Sequence, residues 1–408
     1  MMCKDFRRPG IGASMRTLGR MRMAGMVIST LIALCSLSCG RGHPVVEIAL
    51  HPTNPQILYI ATNDYIYKTR DGGKTWQNIS QGMTHSRVIA LAIDPLFPAN
   101  VYAGTKGDGV FRSYNGGQTW VAKRTGMADV TISSVVHQLV FVPGSSDHLF
   151  AATSMGVFET ENAGDTWIKR MEGMKEVLMV VTLDVDPRQI TTMYAGTSGG
   201  MYKTIDRARH WIKVNHGLIP PEVLKSSRAL GITRVKVDPH RLNAVYAASL
   251  MGLYKTTDGA QTWQRIGQDL PDQMFSDLVL DRSTPDVLYV SSRKGVHKSS
   301  DGGHTWQAAN AGLGNLNIRA LAMNPVDSQV LYAGTNGDGL YRSHDGGHTW
   351  EPVPLVLNRN HETRGSTILN RNGGVEDIAK TVGRNCLCPE GMQRLTGHGQ
   401  TDGLRRVG

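Results

Sequence analysis

An eight-residue motif that recurs seven times constrains the fold of this 408-residue chain more than any other feature. The motif reads Ser/Thr-x-Asp-x-Gly-x-Thr-Trp, and its last copy runs from Ser343 to Trp350. Its copies contain all seven tryptophans, which follow one another at intervals of 44, 47, 44, 52, 43 and 44 residues. A regular period of this length indicates one repetitive body and not a series of unrelated domains. The motif tryptophans are Trp76, Trp120, Trp167, Trp211, Trp263, Trp306 and Trp350.

Each repeat contains four short β-strand signals that are separated by turn residues. In the second repeat they are strand a at 88–93, strand b at 101–104, strand c at 110–112 and strand d at 120–123. The pattern predicts an all-β fold, a single seven-bladed β-propeller of four-stranded antiparallel blades, with the motif between strands c and d. We expect the propeller to occupy residues 44–357. Because no repeat has an overhanging strand, we expect side-chain packing to close the ring. Alternatively, residues 355–357 help to seal the last blade.

Every position of the motif has a structural use in a tight turn. The Asp or Asn side chain can accept hydrogen bonds from main-chain NH groups, glycine tolerates a backbone conformation that other residues disfavour, and tryptophan fills the space between sheets. The fourth and fifth copies have Ala208 and Ala260 where the other copies have glycine, so we expect looser turns there. The acceptor residues are Asp71, Asn115, Asn162, Asp206, Asp258, Asp301 and Asp345.

The seven copies resemble the Asp-box, or BNR, repeat of bacterial sialidases, sortilin-type receptors, xyloglucanases and the photosystem II assembly factor of cyanobacteria and plastids. The resemblance is specific because seven copies occur in phase, and it covers most of the chain. It implies a propeller in which the boxes are structural pins on the face away from the active site. The boxes therefore carry no catalytic role over to this chain.

The loops of each blade divide between two faces. If strand a lines the central channel, the a–b turns and the boxes share one face, the box face, and the b–c and d–a loops share the other, the b–c face. Since the box face is the scaffold side, we predict that a protein or glycan partner binds the b–c face. The alternative interpretation of each candidate there is an ordinary solvated loop residue. The ligand-binding candidates are Tyr65, Arg87, Lys106, Arg293 and Lys294.

The sequence offers few groups for catalysis. A sialidase would need an arginine cluster, an acid/base carboxylate and a tyrosine nucleophile, yet Tyr65 alone among the twelve tyrosines is expected on the b–c face. A xyloglucanase-like hydrolase would need two carboxylates across a cleft. Asp108 and Asp338 are the weak candidates, although xyloglucanases form that cleft between two propellers. The Cys386 and Cys388 pair lacks the companion ligands of a zinc site, so we expect no metal and no cofactor.

The formal charge of +10 does not indicate a nucleic-acid partner. Residues 1–39 contain six Lys or Arg, and residues 357–408 contain eight, which leaves 30 basic and 28 acidic residues on the repetitive body. A nucleic-acid-binding domain concentrates basic residues on its folded surface. We therefore expect no nucleic-acid partner. We also expect a monomer.

The N-terminal segment 1–39 has the features of an export signal. Arginines precede an apolar run at 24–38, which is shorter than the roughly 20 residues of a membrane-spanning helix. The following Cys39 ends a segment that resembles a bacterial lipobox, in which the cysteine is lipidated. A cleaved signal peptide and an uncleaved anchor are the alternatives. The tail at 358–408 has few large apolar residues, so we expect it to be disordered.

These features predict an exported, non-catalytic propeller in a bacterial periplasm or envelope, with membrane contact only through the N-terminal leader. The expected role is protein–protein interaction or assembly, by functional analogy with the photosystem II assembly factor. A glycan-binding protein or a glycoside hydrolase of the xyloglucanase or sialidase type is the alternative.

Overall fold

The computed structural model places seven sheets in the first of the two units into which the chain divides, Met1–Asn358. The predicted leader with Cys39, the predicted tail and the second unit, Arg359–Gly408, lie outside the described residues. The structure describes residues 43–83, 87–127, 135–174, 177, 179–218, 231–271 and 274–355.

Twenty-eight strands form seven four-stranded antiparallel sheets within the described ranges. The innermost strands, strand a of blades 1 to 7, are β1 (Val45–Leu50), β5 (Val88–Ile93), β9 (Val136–Phe141), β13 (Val180–Val185), β17 (Ile232–Val237), β21 (Phe275–Leu280) and β25 (Ile318–Met323). Strand b is β2 (Leu58–Thr62), β6 (Val101–Thr105), β10 (Leu149–Thr153), β14 (Met193–Thr197), β18 (Val245–Ser249), β22 (Leu288–Ser292) and β26 (Leu331–Thr335).

The two outer strands complete each blade. Strand c is β3 (Ile66–Thr69), β7 (Val110–Ser113), β11 (Gly156–Thr160), β15 (Gly200–Thr204), β19 (Gly252–Thr256), β23 (Gly295–Ser299) and β27 (Leu340–Ser343). Strand d is β4 (Gln77–Asn78), β8 (Val121–Ala122), β12 (Ile168–Lys169), β16 (Ile212–Lys213), β20 (Gln264–Ile266), β24 (Gln307–Ala308) and β28 (Glu351–Val353). In every blade the strands pair in chain order, which confirms the predicted seven four-stranded antiparallel blades.

The ring closes by side-chain contacts between the last and first blades. Strand β1 packs against both β5 and β25, while β1–β4 and β25–β28 remain separate sheets. Val353 packs in one cluster with Trp76 of blade 1, with Leu355 packed against that cluster. Arg342 Nη1 also donates a hydrogen bond to the main-chain oxygen of Gly72, at 2.9 Å. Side-chain packing therefore seals the ring, as the absence of an overhang predicts, and Leu355 contributes to the seal.

The boxes form one recurring turn. In all seven copies the Asp or Asn Oδ1 accepts the main-chain NH four residues later, at 2.8–3.0 Å. The hydroxyl at the first position bridges this carboxylate or amide and the NH of the fifth residue, as Thr69 does between Asp71 and Gly73. Hydrogen bonds from Thr349 lower the pKa of Asp345 to about 2. The box is thus a closed local network whose acceptor groups are already used.

The fourth and fifth boxes keep the same turn, but the hydrogen bond from the NH of the fifth residue to the first hydroxyl is longer there than the 2.8–2.9 Å of the other five boxes. Ala208 and Ala260 adopt φ values of 62° and 71°, and their NH groups keep the bond to the first hydroxyl at 3.1 Å. In the fourth box His210 occupies the position of the threonine, and its Nδ1 lies 2.7 Å from Asp206 Oδ2. The hydrogen-bond network therefore holds the alanines in a conformation that costs an L-residue about 1–2 kcal/mol.

Most box tryptophans tie one blade to the preceding one. Trp120 Nε1 donates to the main-chain oxygen of Ile79 at 2.7 Å, just beyond strand d of blade 1. The tryptophans of blades 3, 4, 5 and 7 make the same bond at 2.8–3.2 Å. Trp306 donates within its own box instead, and Trp76 Nε1 at the ring closure has no partner among the described residues.

A second set of bonds reaches from strands b and c to the next box. Tyr59 Oη and Lys68 Nζ both donate to the main-chain oxygen of Gly116, at 3.3 and 2.8 Å. Equivalent pairs join blade 2 to 3, 5 to 6 and 6 to 7. Blade 3 departs from this pattern because Phe150 and Glu159 occupy the two positions. The recurring tyrosine therefore links neighbouring blades by a hydrogen bond. The sequence pattern alone does not reveal this link.

The boxes and the a–b turns share one face, as predicted. The main-chain NH of Gly72 in the first box donates to Gln56 in the a–b turn of the same blade, at 3.0 Å, and the other blades repeat this bond. Among the described residues there is no helix with the length and hydrophobicity needed to cross a bilayer.

Candidate functional site

Three of the five predicted binding residues lie together on the b–c face of blades 1 and 2. Arg87 immediately precedes inner strand β5, and its Nη2 donates to Asn63 Oδ1 in the b–c turn of blade 1. Tyr65 occupies the same turn and is 37% exposed. The main-chain NH of Lys106 donates to the oxygen of Arg87 at 2.9 Å, which fixes the two backbones side by side. Blade 2 therefore presents two neighbouring cationic side chains on this face.

The structure adds Arg319, which sequence reasoning missed. It is the second residue of inner strand β25, and its exposed side chain lies 3.4 Å from Asn336 Oδ1. Partial burial and the positive charge of Arg87 lower the pKa of the Arg319 guanidinium. Blade 1 separates blades 2 and 7, so Arg87 and Arg319 lie on the b–c face on either side of blade 1.

Neither guanidinium has a carboxylate partner in the described part of the chain. Arg87 and Arg319 form no ion pair there, and both hydrogen bonds go to neutral asparagine side chains. The Nε of Arg87 is buried and has no acceptor among those residues. By contrast, Arg234, Arg241 and Arg342 are each paired with an acid. Among the described residues, then, no ion pair neutralises Arg87 or Arg319, although Asp64 lies beside Asn63 in the b–c turn of blade 1.

The remaining predicted cations lie on blade 6. Arg293 and Lys294 form the exposed b–c turn between β22 and β23, and the NH of Lys294 donates to Ser292 Oγ at 3.0 Å. Blade 6 is next to blade 7, which carries Arg319. Within the described residues these candidate cations lie on blades 6, 7 and 2, and the b–c turns of blades 1, 2 and 7 also carry Asp64, Asp108 and Asp338.

The candidate carboxylates Asp108 and Asp338 lie in the b–c turns of blades 2 and 7. Asp108 lies in the b–c turn of blade 2, where Arg124 Nη1 is 3.9 Å from its Oδ1. Asp338 lies in the corresponding turn of blade 7 and accepts a hydrogen bond from the Tyr341 hydroxyl. Burial and this bond raise the pKa of Tyr341 to about 12. Both carboxylates already have partners on their own blade.

Exposed apolar side chains occupy other blades of the same face. Met155 and Leu250 lie in the b–c turns of blades 3 and 5, and Met274 precedes the inner strand of blade 6; they are 38–43% exposed. Single exposed apolar residues are common on protein surfaces, so these three do not define a site by themselves. Met155 and Leu250 lie on blades 3 and 5, whereas Met274 shares blade 6 with Arg293 and Lys294.

A cavity of about 770 Å³ lies inside the ring, between the middle of the inner strands and the a–b turns. Its rim includes Pro52, Pro95, Pro143 and Pro187, which are a–b turn residues. The cavity therefore belongs to the box face, which the sequence led us to regard as scaffold only. Its inner end is formed by Glu47, His137, Arg234 and Asp277, and its wall is largely aliphatic.

The inner end of the cavity is a compensated charge cluster. Arg234 Nε lies 2.9 Å from Asp277 Oδ1, and its Nη2 lies 4.0 Å from Glu47 Oε2. Burial raises the pKa of Glu47 to about 7, and burial lowers the pKa of His137 to about 4. Asp277 also accepts the NH of Leu321 on blade 7, at 3.0 Å. Arg234 therefore connects blades 1, 5 and 6 across the channel.

Other polar side chains of the channel bind the free edge of the next inner strand. Gln138 Oε1 accepts the NH of Leu183 at 2.9 Å, and Asp184 Oδ2 accepts the NH of Val237 at 2.7 Å. Buried main-chain NH groups need such partners. These channel acids and amides thus have a structural use, which weakens any catalytic interpretation of them.

A group of metal-binding residue types lies on blade 3. Atoms of His148, Glu159 and Glu161 lie within 4.8 Å of one another. His148 Nε2 is 2.8 Å from one Glu159 oxygen, and Arg170 Nε is 2.6 Å from the other. Because a cation already neutralises Glu159, we assign no metal role to this group.

Comparison with known proteins identifies the repeat. A family model described as the BNR/Asp-box repeat matches residues 341–352, the copy that ends in Trp350. The chain thus contains the BNR/Asp-box repeat within a seven-bladed β-propeller. Among sequences, the Asp-box propeller is 31% identical over 84 residues to a xyloglucanase of Hypocrea jecorina, a match that spans 20% of this chain and 10% of that protein.

Solved structures share the fold of the Asp-box propeller at low identity. It is similar to the GH74 enzyme of Niastella koreensis, with a TM-score of 0.59 and 18% identity over 76% of this chain and 54% of that one. It is also similar to YCF48 bound to a D1 peptide, with a TM-score of 0.55 and 16% identity over 74% of this chain and 92% of that one. The chain thus spans about half the GH74 structure and nearly all of YCF48.

Proposed function

We propose that this Asp-box propeller is a non-catalytic binding protein that recognises an acidic segment of a partner protein on its b–c face. The observation that carries the proposal is the Arg87 and Arg319 pair, which has no carboxylate partner in the described part of the chain. Lys106 and Lys294 extend the positive surface on blades 2 and 6.

Two guanidinium groups that no described carboxylate neutralises make a bound carboxylate favourable. Each guanidinium destabilises the other, and an opposite charge nearby removes that cost. Arginine can also hold a carboxylate with two parallel hydrogen bonds, which are shorter and stronger than bonds between neutral groups. A partner segment with acidic residues would therefore gain both charge compensation and directional bonds at Arg87 and Arg319.

The exposed apolar side chains of the same face favour a polypeptide as the partner. A peptide that places acidic side chains on blades 2 and 7 could place apolar ones near Met155 and Leu250 on blades 3 and 5. Interfaces of this type combine a central anchored region with a charged rim. The likeness to YCF48, whose structure contains a D1 peptide, supports a single propeller of this length as a peptide-binding unit.

We also propose export to the bacterial envelope, with Cys39 as a lipid-bearing residue after the leader at 1–39 and a tail at 358–408 outside the propeller. The lipobox-like sequence before Cys39 supports this. Metabolic labelling with an alkyne fatty acid should mark the wild-type chain and not the Cys39→Ala variant. An unlabelled wild type would contradict lipidation.

The binding proposal is tested by selecting peptides from a random 12-residue library on the purified propeller. We expect the selected peptides to be rich in Asp and Glu. The affinity of a selected peptide should fall about tenfold or more for Arg87→Gln and for Arg319→Gln, since a charge-assisted hydrogen bond contributes about 1.5–3 kcal/mol. The control is Arg188→Gln, an a–b turn residue on the box face, which should bind normally. Selection of peptides without acidic enrichment, or equal affinity for all variants, would refute the proposal.

Glycan binding or glycoside hydrolysis is the second candidate. The xyloglucanase of Hypocrea jecorina and the GH74 enzyme of Niastella koreensis favour it. The test is incubation with xyloglucan, β-glucan and sialoside panels, followed by analysis of released sugars. Turnover that disappears in Asp108→Asn or Asp338→Asn would support a hydrolase and overturn the non-catalytic proposal.

A further inference from the structure

The cavity on the box face has an apolar wall that is open to solvent. The last residue of the inner strand contributes to it in five blades, as Leu50, Ile93, Phe141, Leu280 and Met323, and each of these side chains is only partly buried. They come from blades 1, 2, 3, 6 and 7, so they surround most of the channel. Ligand pockets in proteins have volumes of about 300–1,000 Å³, and this cavity of about 770 Å³ falls in that range.

Blades 4, 5 and 6 give the same cavity a polar side. Asp184, Lys236 and Arg282 line it there, and Arg282 is exposed at the rim. Burial raises the pKa of Asp184, while the positive charges of Lys236 and Arg282 oppose that rise, so both cations lie near it. One oxygen of Asp184 is also used by the NH of Val237. Two cations therefore share one carboxylate at the mouth of the cavity.

The inner end leaves no charge free for a ligand. Arg234 is balanced by Asp277 at 2.9 Å and by Glu47 at 4.0 Å. Over the whole lining three acids, Glu47, Asp184 and Asp277, face three cations, Arg234, Lys236 and Arg282. The inner end has two of the acids and one cation, so an anionic group would be attracted to the mouth, where Lys236 and Arg282 lie, and not to the inner end. The apolar wall lies between these two regions.

We propose that this cavity binds one amphiphilic anion, with its apolar part against Phe141, Leu280 and Met323 and its acidic head group between Lys236 and Arg282. Fatty acids are the simplest class with this chemistry. Burial of the apolar part removes both hydrocarbon surfaces from water, and the long cationic side chains can hold the head group at the solvent boundary. The site lies on the face opposite the proposed peptide surface, so the two proposals stand independently.

The test uses cis-parinaric acid, a fatty acid whose fluorescence rises in an apolar site. We expect saturable binding with one molecule per chain and displacement by dodecanoate. Dodecyltrimethylammonium, which has the same chain length and the opposite charge, should displace the probe at least tenfold less well. Equal displacement by the anion and the cation would overturn the role of Lys236 and Arg282.

Variants separate this site from other apolar surfaces. Lys236→Gln combined with Arg282→Gln should weaken binding at least tenfold, and Ala322→Phe, which adds a ring to the cavity wall, should reduce it as strongly without removing a charge. The matched control is Lys74→Gln combined with Lys213→Gln, two exposed cations that do not line the cavity, which should bind the probe normally. Circular dichroism spectra and melting temperatures establish that each variant is folded. Unchanged binding in the folded Ala322→Phe protein would refute the cavity as the site.

Discussion

At the scale of single residues, the box tryptophans act through hydrogen bonds as well as through volume. Five of them donate Nε1 to the main chain of the preceding blade, at 2.7–3.2 Å. The spacing of the tryptophans predicts their place between sheets, but it does not show which carbonyl oxygen accepts the hydrogen bond. That detail depends on how closely two blades approach.

Trp120 and Trp76 form a natural comparison, because both are 7% exposed and only Trp120 Nε1 has a hydrogen-bond acceptor in the described residues. Trp120→Phe should lower the free energy of unfolding more than Trp76→Phe does, by about 1–3 kcal/mol, because it leaves a buried carbonyl unpaired. Urea unfolding of the two variants measures the difference. Equal losses would mean that packing alone accounts for the tryptophans.

Glu47 gives the channel a specific pH dependence. Its pKa is 4.5 in the unfolded chain and about 7 in the folded one, chiefly because of burial. The folded state therefore holds the extra proton between these values, and the stability that Glu47 contributes is complete below pH 4.5 and is lost as the pH rises through 7. Glu47→Gln should gain stability relative to the wild type between pH 4.5 and 8, by on the order of 1–3 kcal/mol. Urea unfolding at several pH values checks this, and a difference that does not vary with pH would contradict it.

At the scale of elements, the box turn tolerates substitution of its glycine because the hydrogen bonds around it are redundant. Ala260 keeps the positive φ of the turn although it carries a side chain. Glycine at the fifth position of the motif is less tolerant of substitution in the sixth box, since a Cβ on Gly303 would lie 2.6 Å from Ile266 Cδ1. The sequence motif identifies the turn, but the space beside each copy depends on the neighbouring blade.

Reciprocal substitutions test this account of the turn. Ala260→Gly should raise the free energy of unfolding by about 0.5–1 kcal/mol, because it relieves a left-handed conformation at an L-residue. Gly303→Ala should lower it by at least about 1 kcal/mol, since it adds both backbone strain and a contact with Ile266. Thermal and urea unfolding measure both effects. Destabilisation by Ala260→Gly would show that the alanine side chain contributes more by packing than it costs in strain.

At the scale of the whole molecule, the repeat predicts the number of blades, their strand order and the face on which the boxes lie. It does so because every blade must bury the same kinds of residue against the next one. Strand limits differ slightly from the predicted ones; strand d of blade 2 spans only Val121–Ala122 and begins after Trp120. Short outer strands have few residues to signal their ends.

The candidate site was harder to predict than the fold. The loop positions predict Arg87 and Lys106, and their backbones lie side by side. Arg319 belongs to an inner strand of blade 7, which ring closure places next to blade 1. The cavity on the box face was missed entirely, because it forms from the ends of inner strands that are distant in the sequence. Repetition shows what the blades share, and function depends on positions where they differ.

The most direct test of the central claim places a photo-crosslinking residue on each face of the propeller, in the cells that produce it. A benzoylphenylalanine at Lys294 reports on the b–c face, and one at Val326, which is 58% exposed in an a–b turn, reports on the box face. We predict a discrete protein adduct from position 294 that is lost when Arg87→Gln and Arg319→Gln are added, and none from position 326. A protein adduct from position 326 alone, or one from position 294 that survives both arginine substitutions, would contradict partner recognition by the b–c face.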